Sequence, residues 1–207
     1  LVDTSTSNLF GTTGKRKKDL VTEIASVLCF SAISNNDKVG AVFFSDRVEK
    51  YIAPKKGRQH ALYIVRQLLS MEPATNSTHI GEAIRYFNNT SHQRSIAFVL
   101  SDFLDEGYEN DLRVIGRKHD VIGIKVYDPM DMTLPDAGLL QLRDPESGRY
   151  MTIDSSDPWV RHRYQQFFLE HSETSQQIFR KSGSDLLHVR TDEDYVKVLQ
   201  KFFLKRS

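Results

Sequence analysis

Cysteine is nearly absent: Cys29 is the only one in 207 residues. A lone thiol excludes an internal disulfide and any cysteine-cluster zinc site. Its place in the apolar run "IASVLCFSAI" reads as a small buried side chain rather than a nucleophile. Net charge is missing too. The 28 Lys and Arg nearly cancel the 27 Asp and Glu, leaving +1, so no global field selects nucleic acid or an anionic membrane as partner. No uninterrupted apolar stretch approaches the roughly 18–20 residues of a membrane helix, and no signal peptide is visible. The histidines His60, His92, His119, His162, His171 and His188 show no metal-binding spacing. "GTTGKR" lacks a phosphate loop's first glycine, since Leu9 holds that place, and Arg16 follows the lysine where Ser or Thr is required. ATP binding by this chain is therefore not expected, and Gly11 and Gly14 read as loop flexibility.

What is present suits an ordered protein, with 39% hydrophobic against 27% charged residues. The length fits one domain over 1–207 with an elaboration. "LVD" is too short for a strand's natural beginning, so a fragment of a longer protein is expected. Helices are expected from Lys17 to Asn35, with Leu20, Ile24, Val27 and Leu28 buried, and from Gly57 to Met71, with Leu62, Val65, Leu68 and Leu69 on one face. Further helices fall at Ile80–Asn88, Glu109–Lys118, Asp157–Lys181 and Asp192–Phe203, the last capped by Thr191 or Asp192. Between them run "DKVGAVFFS", "VEKYIAP", "SIAFVLSD", "DVIGIKVYD" and "SDLLHVR", read as strands. This alternation predicts an α/β fold, a mostly parallel sheet with helices on both faces. "GLLQLRDPESGRYMTIDSSDP" breaks the rhythm and reads as an inserted β-hairpin at about 138–154, turning at Asp144–Gly148. The basic run Lys15-Arg16-Lys17-Lys18 reads as a solvated first turn.

Ligands of open α/β sheets sit at the carboxyl ends of the strands. Three segments bring polar residues there: Asp3-Thr4-Ser5-Thr6-Ser7 after the first strand, Ser77 and Thr78 before a helix, and Asp102 ending "SIAFVLSD". Asp3, Ser5, Ser7, Thr78 and Asp102 offer only hard oxygens, which suit Mg²⁺ or Mn²⁺. Alternate spacing in an extended loop points Asp3, Ser5 and Ser7 the same way. Two carboxylates balance a divalent charge while the hydroxyls add none, leaving an electrophilic ion open to an incoming acidic oxygen. Asp, Ser and Thr also favour turns and helix caps, so the same residues have a purely local reading.

An enzyme is the competing class. Metal-dependent phosphohydrolases on such sheets often begin with D-x-D, whereas Ser5 stands in the second acid's place. Asp105 or Glu106 would be the base and His79 a water-orienting group, although His79 reads more simply as a helix-start residue. In "FLDEGYEND", Phe103, Leu104 and Tyr108 either flank a partner or fill the core. Trp159 is expected to pack beneath the hairpin. A third class is a structural module with a vestigial metal site.

D-x-S-x-S, a mid-chain Thr and a later strand-end Asp resemble the metal-ion-dependent adhesion site of von Willebrand factor A domains. Beyond that motif, "NNDKVGAVFFSDRVEKYIAPKKGRQHALYIVRQLL", "STHIGEAI", "VLSDFLDEG", "RKHDVIGIKVYDPMDMTLPDAGLLQLRDPESG" and "GSDLLHVRTDE" resemble the bacterial family called domain of unknown function 58. The resemblance implies a Rossmann-like von Willebrand factor A fold whose metal binds a partner's carboxylate. Ser5, Ser7 and Thr78 would touch the metal directly, and Asp3 and Asp102 partly through water. It also implies a MoxR-type AAA+ ATPase as partner and work in assembly or maturation of other proteins. Catalysis is not expected, and the resemblance together with the lone cysteine points to a bacterial cytoplasm.

Overall fold

The structure is a computed structural model that describes residues 1–12, 14–73, 75, 77–143 and 149–206. Its centre is a six-stranded sheet in the order β3-β2-β1-β4-β5-β8. The strands are β1 (Val2–Asp3), β2 (Val39–Phe44), β3 (Val48–Lys55), β4 (Ile96–Ser101), β5 (Asp120–Tyr127) and β8 (Asp185–Arg190). All neighbours pair parallel except β3, which returns antiparallel to β2 through a tight turn at Ser45–Arg47. Strands covered on both faces need near-continuous apolar runs, which explains "AVFF", "IAFVL" and "VIGIKV".

Successive side chains point to opposite faces, and two cores result. Phe43, Leu100, Ile122, Ile124, Val126 and Val189 face α1 (Lys17–Ser34), α2 (Arg58–Ser70) and α7 (Tyr195–Arg206). Phe44, Ala97, Val99, Val121 and Leu186 face α3 (Ile80–Thr90), α4 (Glu109–Gly116) and α6 (Pro158–Lys181). The α/β layering with helices on both faces is as the alternation predicts. At Gly123 a Cβ would lie 2.5 Å from the Phe179 ring, so β5 and α6 meet there closely.

Several local readings need correction. In α1, Val27 is exposed and Leu28 half-buried, while Val21, Ala25 and Cys29 join Leu20 and Ile24 in the core. In α2 the buried stripe is Ala61, Ile64 and Leu68, whereas Leu62 and Leu69 face water, Leu69 at 63% exposure. In both helices a small alanine lies in the core while larger apolar residues stay outside it. Helix α7 begins at Tyr195, and its cap is Asp194, whose carboxylate accepts from the N–H groups of Val196 and Lys197 at 3.2 and 3.4 Å. Thr191 and Asp192 are used elsewhere, donating to Asp128 and pairing with Arg190. Trp159 stands 71% exposed rather than beneath the hairpin. Phe103 and Tyr108 are fully buried around Phe179, so of these three side chains only Leu104 is exposed.

Strands β6 (Leu139–Arg143) and β7 (Tyr150–Asp154) pair antiparallel, Leu139 opposite Asp154, as a separate two-stranded sheet. The turn expected at Asp144–Gly148 lies outside the described residues. The base is closed by Ser155, whose N–H and hydroxyl both donate to the Gly138 carbonyl.

Candidate metal site at the carboxyl edge of the sheet

Strand β1 is central, so Asp3 emerges between the ends of β2 and β4. Thr4 is held at once, its N–H and hydroxyl donating to the Phe44 carbonyl at 2.8 and 2.9 Å. The chain then turns. The Ser5 N–H donates to Asp3 Oδ1 at 2.9 Å, an Asx turn, and a single 3₁₀ turn follows over Thr6–Leu9. Asn8 closes it by donating to the Asp3 carbonyl. Ser5 and Ser7 converge, their hydroxyl oxygens 3.1 Å apart. The expected convergence is present, but its cause differs: a tight turn brings the hydroxyls together, not alternation along an extended loop.

Asp3 is buried, and its Oδ2 accepts from the Ser101 hydroxyl at 2.7 Å. Ser101 also accepts from the Phe103 N–H, fixing the strand end that presents Asp102. Phe103 holds φ +52°, a left-handed backbone uncommon for a bulky residue. Burial first, then the charge of Asp102, push the Asp3 carboxyl up from 3.8 to about 6 against the pull of its hydrogen bonds. Two buried carboxylates repelling each other are an arrangement that a cation relieves.

One cation is already beside them. Lys17, from the run expected to be solvated, is 2% exposed, and its Nζ lies 3.4 Å from Asp102 Oδ2 and 3.2 Å from Asp131 Oδ2. Burial opposes its charge, but Asp102 and Asp131 outweigh that and hold its pKa above the ordinary lysine value. The other basic residues of the run are surface-paired: Lys15 with Glu23 and Arg16 with Asp19. Lys18 donates to the Met71 carbonyl. Asp131 lies in α5 (Pro129–Met132), anchored by the Asp128 N–H. A second lysine, Lys125, is buried on the α6 side of β5, in register with Ser101. Its Nζ has no hydrogen-bond partner among the described residues and lies 5.5 Å from the Phe168 ring centre. Burial brings its pKa down to about 8, although Asp102 pulls the other way.

Thr78 lies at the same edge, just before two fastened residues. His79 N–H donates to the Ser45 carbonyl at 2.8 Å, and Ile80 N–H to Asp105 Oδ2 at 2.7 Å. Asp105, not Thr78 or Ser77, therefore caps α3. Among the described residues no hydrogen bond joins Thr78 to Asp3, Ser5, Ser7 or Asp102. The structure thus links Asp3, Ser5 and Ser7 by direct contact and sets Asp102 against Asp3, while Thr78 shares only the edge. His79 is an exposed helix-start residue 3.8 Å from Asp105. No three His, Cys, Asp or Glu side chains among the described residues converge as a metal cluster; this site has two carboxylates and hydroxyls instead.

Nearby, Gly11 is not merely flexible. A Cβ there would lie 2.4 Å from the Lys15 carbonyl oxygen, so the loop folds tightly on itself, while Gly14 uses φ +79°. Thr12 ties this loop across the edge by donating its N–H to Asp128 at 3.0 Å. Ser101, Lys17, Lys125 and Asp131 were not among the residues the sequence singled out for the site. A lysine inside "VIGIKVY" was the one legible signal.

Residues 1–174 match the family model described as "Protein of unknown function DUF58". The chain belongs to this family. It is 31% identical over 209 aligned positions to an uncharacterized protein of Mycobacterium tuberculosis, Rv1480, covering 100% of this chain and 66% of that protein. The chain thus spans just under two thirds of the length of this curated relative. Among solved structures, BatB from Bacteroides thetaiotaomicron superposes with a TM-score of 0.66 at 19% identity, covering 99% of this chain and 95% of that one. An aerotolerance-related membrane protein from Bacteroides fragilis gives 0.68 at 18%, covering 99% and 94%. The VWA domain of SpRpn10 gives 0.52 at 11%, covering 97% and 91%. These likenesses show that the DUF58 chain has a VWA-like fold. No helix among the described residues is long and apolar enough to cross a membrane.

Proposed function

We propose that this DUF58 domain is a protein-interaction module in which Mg²⁺ or Mn²⁺, held by Asp3, Ser5, Ser7, Thr78 and Asp102, receives a carboxylate from a partner. The observation that carries the reading is that buried Asp3, pressed by the charge of buried Asp102 at the neighbouring strand end, sits in a turn with two serine oxygens 3.1 Å apart. Adjacent oxygens around an octahedral Mg²⁺ with bonds of about 2.0–2.1 Å are about 3 Å apart. A hydroxyl–hydroxyl hydrogen bond has nearly the same length, so the turn is built at the right spacing before any ion arrives. When bound, a divalent ion supplies an electrophilic position for an anionic oxygen.

The chain's own groups hold that arrangement. Ser101 and the Ser5 N–H fix both oxygens of Asp3, and Asn8 fixes the turn. Asp105 caps α3 itself, so that role does not fall to the Thr78 hydroxyl. The position left open on the ion suits one anionic oxygen, such as an Asp or Glu side chain of a partner.

The resemblance supplies the partner class: a MoxR-type AAA+ ATPase, with work in assembly or maturation of other proteins in a bacterial cytoplasm. The module binds and does not catalyse, Ser5 standing where a phosphohydrolase of this layout has its second acid. The test is titration calorimetry of Mg²⁺ and Mn²⁺ into the wild-type chain and Asp3→Ala, with and without glutamate. Binding that needs Asp3 and tightens with glutamate supports the reading. Metal-dependent hydrolysis of phosphate esters that is lost in Asp102→Ala overturns it.

A further inference from the structure

We infer that Lys17 is an internal counter-ion that competes with the divalent cation for Asp102 and withdraws to Asp131 when the cation binds. The inference rests on the metal-site reading just proposed and concerns how that site is regulated. Three features carry it. First, Lys17 is the opening residue of α1, and a helix N-terminus is the unfavourable end for a cation. Its ammonium is nevertheless almost wholly buried, so specific partners and not solvation hold it there. Those partners are Asp102 and Asp131 at 3.4 and 3.2 Å.

Second, the two partners differ. Asp102 is a buried member of the proposed metal set, whereas Asp131 is partly exposed and belongs to no ligand set. Asp131 Oδ2 is itself fixed by the Asp128 N–H at 2.8 Å. A second, stationary carboxylate lets Lys17 release Asp102 without becoming a bare buried charge, the state that makes broken buried pairs so costly.

Third, Lys17 stays needed after release. With the cation in place its charge still balances Asp131, so the site does not have to expel it. Lys125 has no comparable role: among the described residues it has no hydrogen-bond partner, and it faces Phe168. The resting domain therefore carries its own monovalent substitute for the metal, and metal binding is an exchange of cations at Asp102.

The experiment is Mn²⁺ titration by calorimetry of the wild-type chain, Asp3→Ala, Lys17→Met and Lys17→Gln, the glutamine retaining a hydrogen bond to Asp131. Removing the competitor is expected to tighten Mn²⁺ binding by about tenfold or more, within the range usual for coupled sites. Equal or weaker binding in folded Lys17 variants, while the wild type binds through Asp3, overturns the competition and leaves the metal site standing. No Mn²⁺ binding by any of the four proteins overturns both. Should neither Lys17 variant fold, lysine ammonium resonances of the wild type decide. Lys17 is expected to lose protection from solvent exchange as Mg²⁺ is added, and unchanged protection throughout the titration overturns the inference.

Discussion

Asp3→Asn should stabilise the metal-free domain at neutral pH and remove much of its pH dependence. The fold raises the Asp3 carboxyl from 3.8 to about 6, through burial and the neighbouring Asp102 charge. A gap of about two units corresponds to about 3 kcal/mol. The sign follows from the direction. Because the folded pKa lies above the unfolded one, the fold favours the protonated form. Its stabilising contribution is complete below about 3.8 and is lost as pH rises through about 6. Asparagine keeps the local bonds, since its oxygen accepts from the Ser5 N–H and its amide donates to the Ser101 hydroxyl. The assay is urea unfolding of both proteins in chelator at several pH values from 4 to 7.5. The advantage of Asp3→Asn should grow by about 3 kcal/mol across that range, or about 6–12 °C in Tm for a chain of this size. Added Mg²⁺ should then restore the wild type and leave Asp3→Asn unmoved. Parallel pH profiles for the two proteins would refute the reasoning, because they would mean that Asp3 is neither desolvated nor pressed by Asp102.

Lys125→Met should stabilise by about 1–3 kcal/mol at pH 7, since burial without a partner holds the ammonium at a penalty. That gain should be full below about pH 8 and fade as pH approaches 10.5, readable from urea midpoints across that range. Phe179→Ala should cost about 3–5 kcal/mol, because the buried ring meets Phe103 edge-on at 5.2 Å and fills the space over Gly123. Gly123→Ala should cost about 1–3 kcal/mol by overpacking the same ring, measured by the same denaturation. In α2, Leu68→Glu should unfold or severely destabilise the domain while Leu69→Glu changes its Tm little, since only Leu68 faces the sheet. Equal effects would reverse the face assignment.

How much was legible in the sequence divides along physical lines. Strands such as "IAFVLS" and "DVIGIKVY" are apolar on both faces, and the parallel sheet follows from that with little ambiguity. Helix faces were less legible. Ala25 and Ala61 lie against the core but weigh little in an apolar pattern beside Val27, Leu62 or Leu69. Asp3, Ser5 and Ser7 were recognisable from spacing, yet the spacing does not reveal an Asx turn. That turn depends on the Ser5 N–H finding Asp3 Oδ1. Lys17 was hidden for another reason: a run of four basic residues looks solvated, and only tertiary approach of Asp102 and Asp131 buries one of them. Thr78 shows the reverse limit, since chain order places it at the sheet edge without showing what its hydroxyl touches.

The most direct measurement is a crystal structure grown with Mn²⁺, with anomalous differences recorded at the manganese edge. The proposed site requires a peak within about 2.2 Å of both the Ser5 and Ser7 hydroxyl oxygens, close to Asp3 and Asp102. Lys17 should then be paired with Asp131 alone. Ordered crystals with no peak at this edge, and Lys17 still shared between Asp102 and Asp131, would contradict the metal-site account.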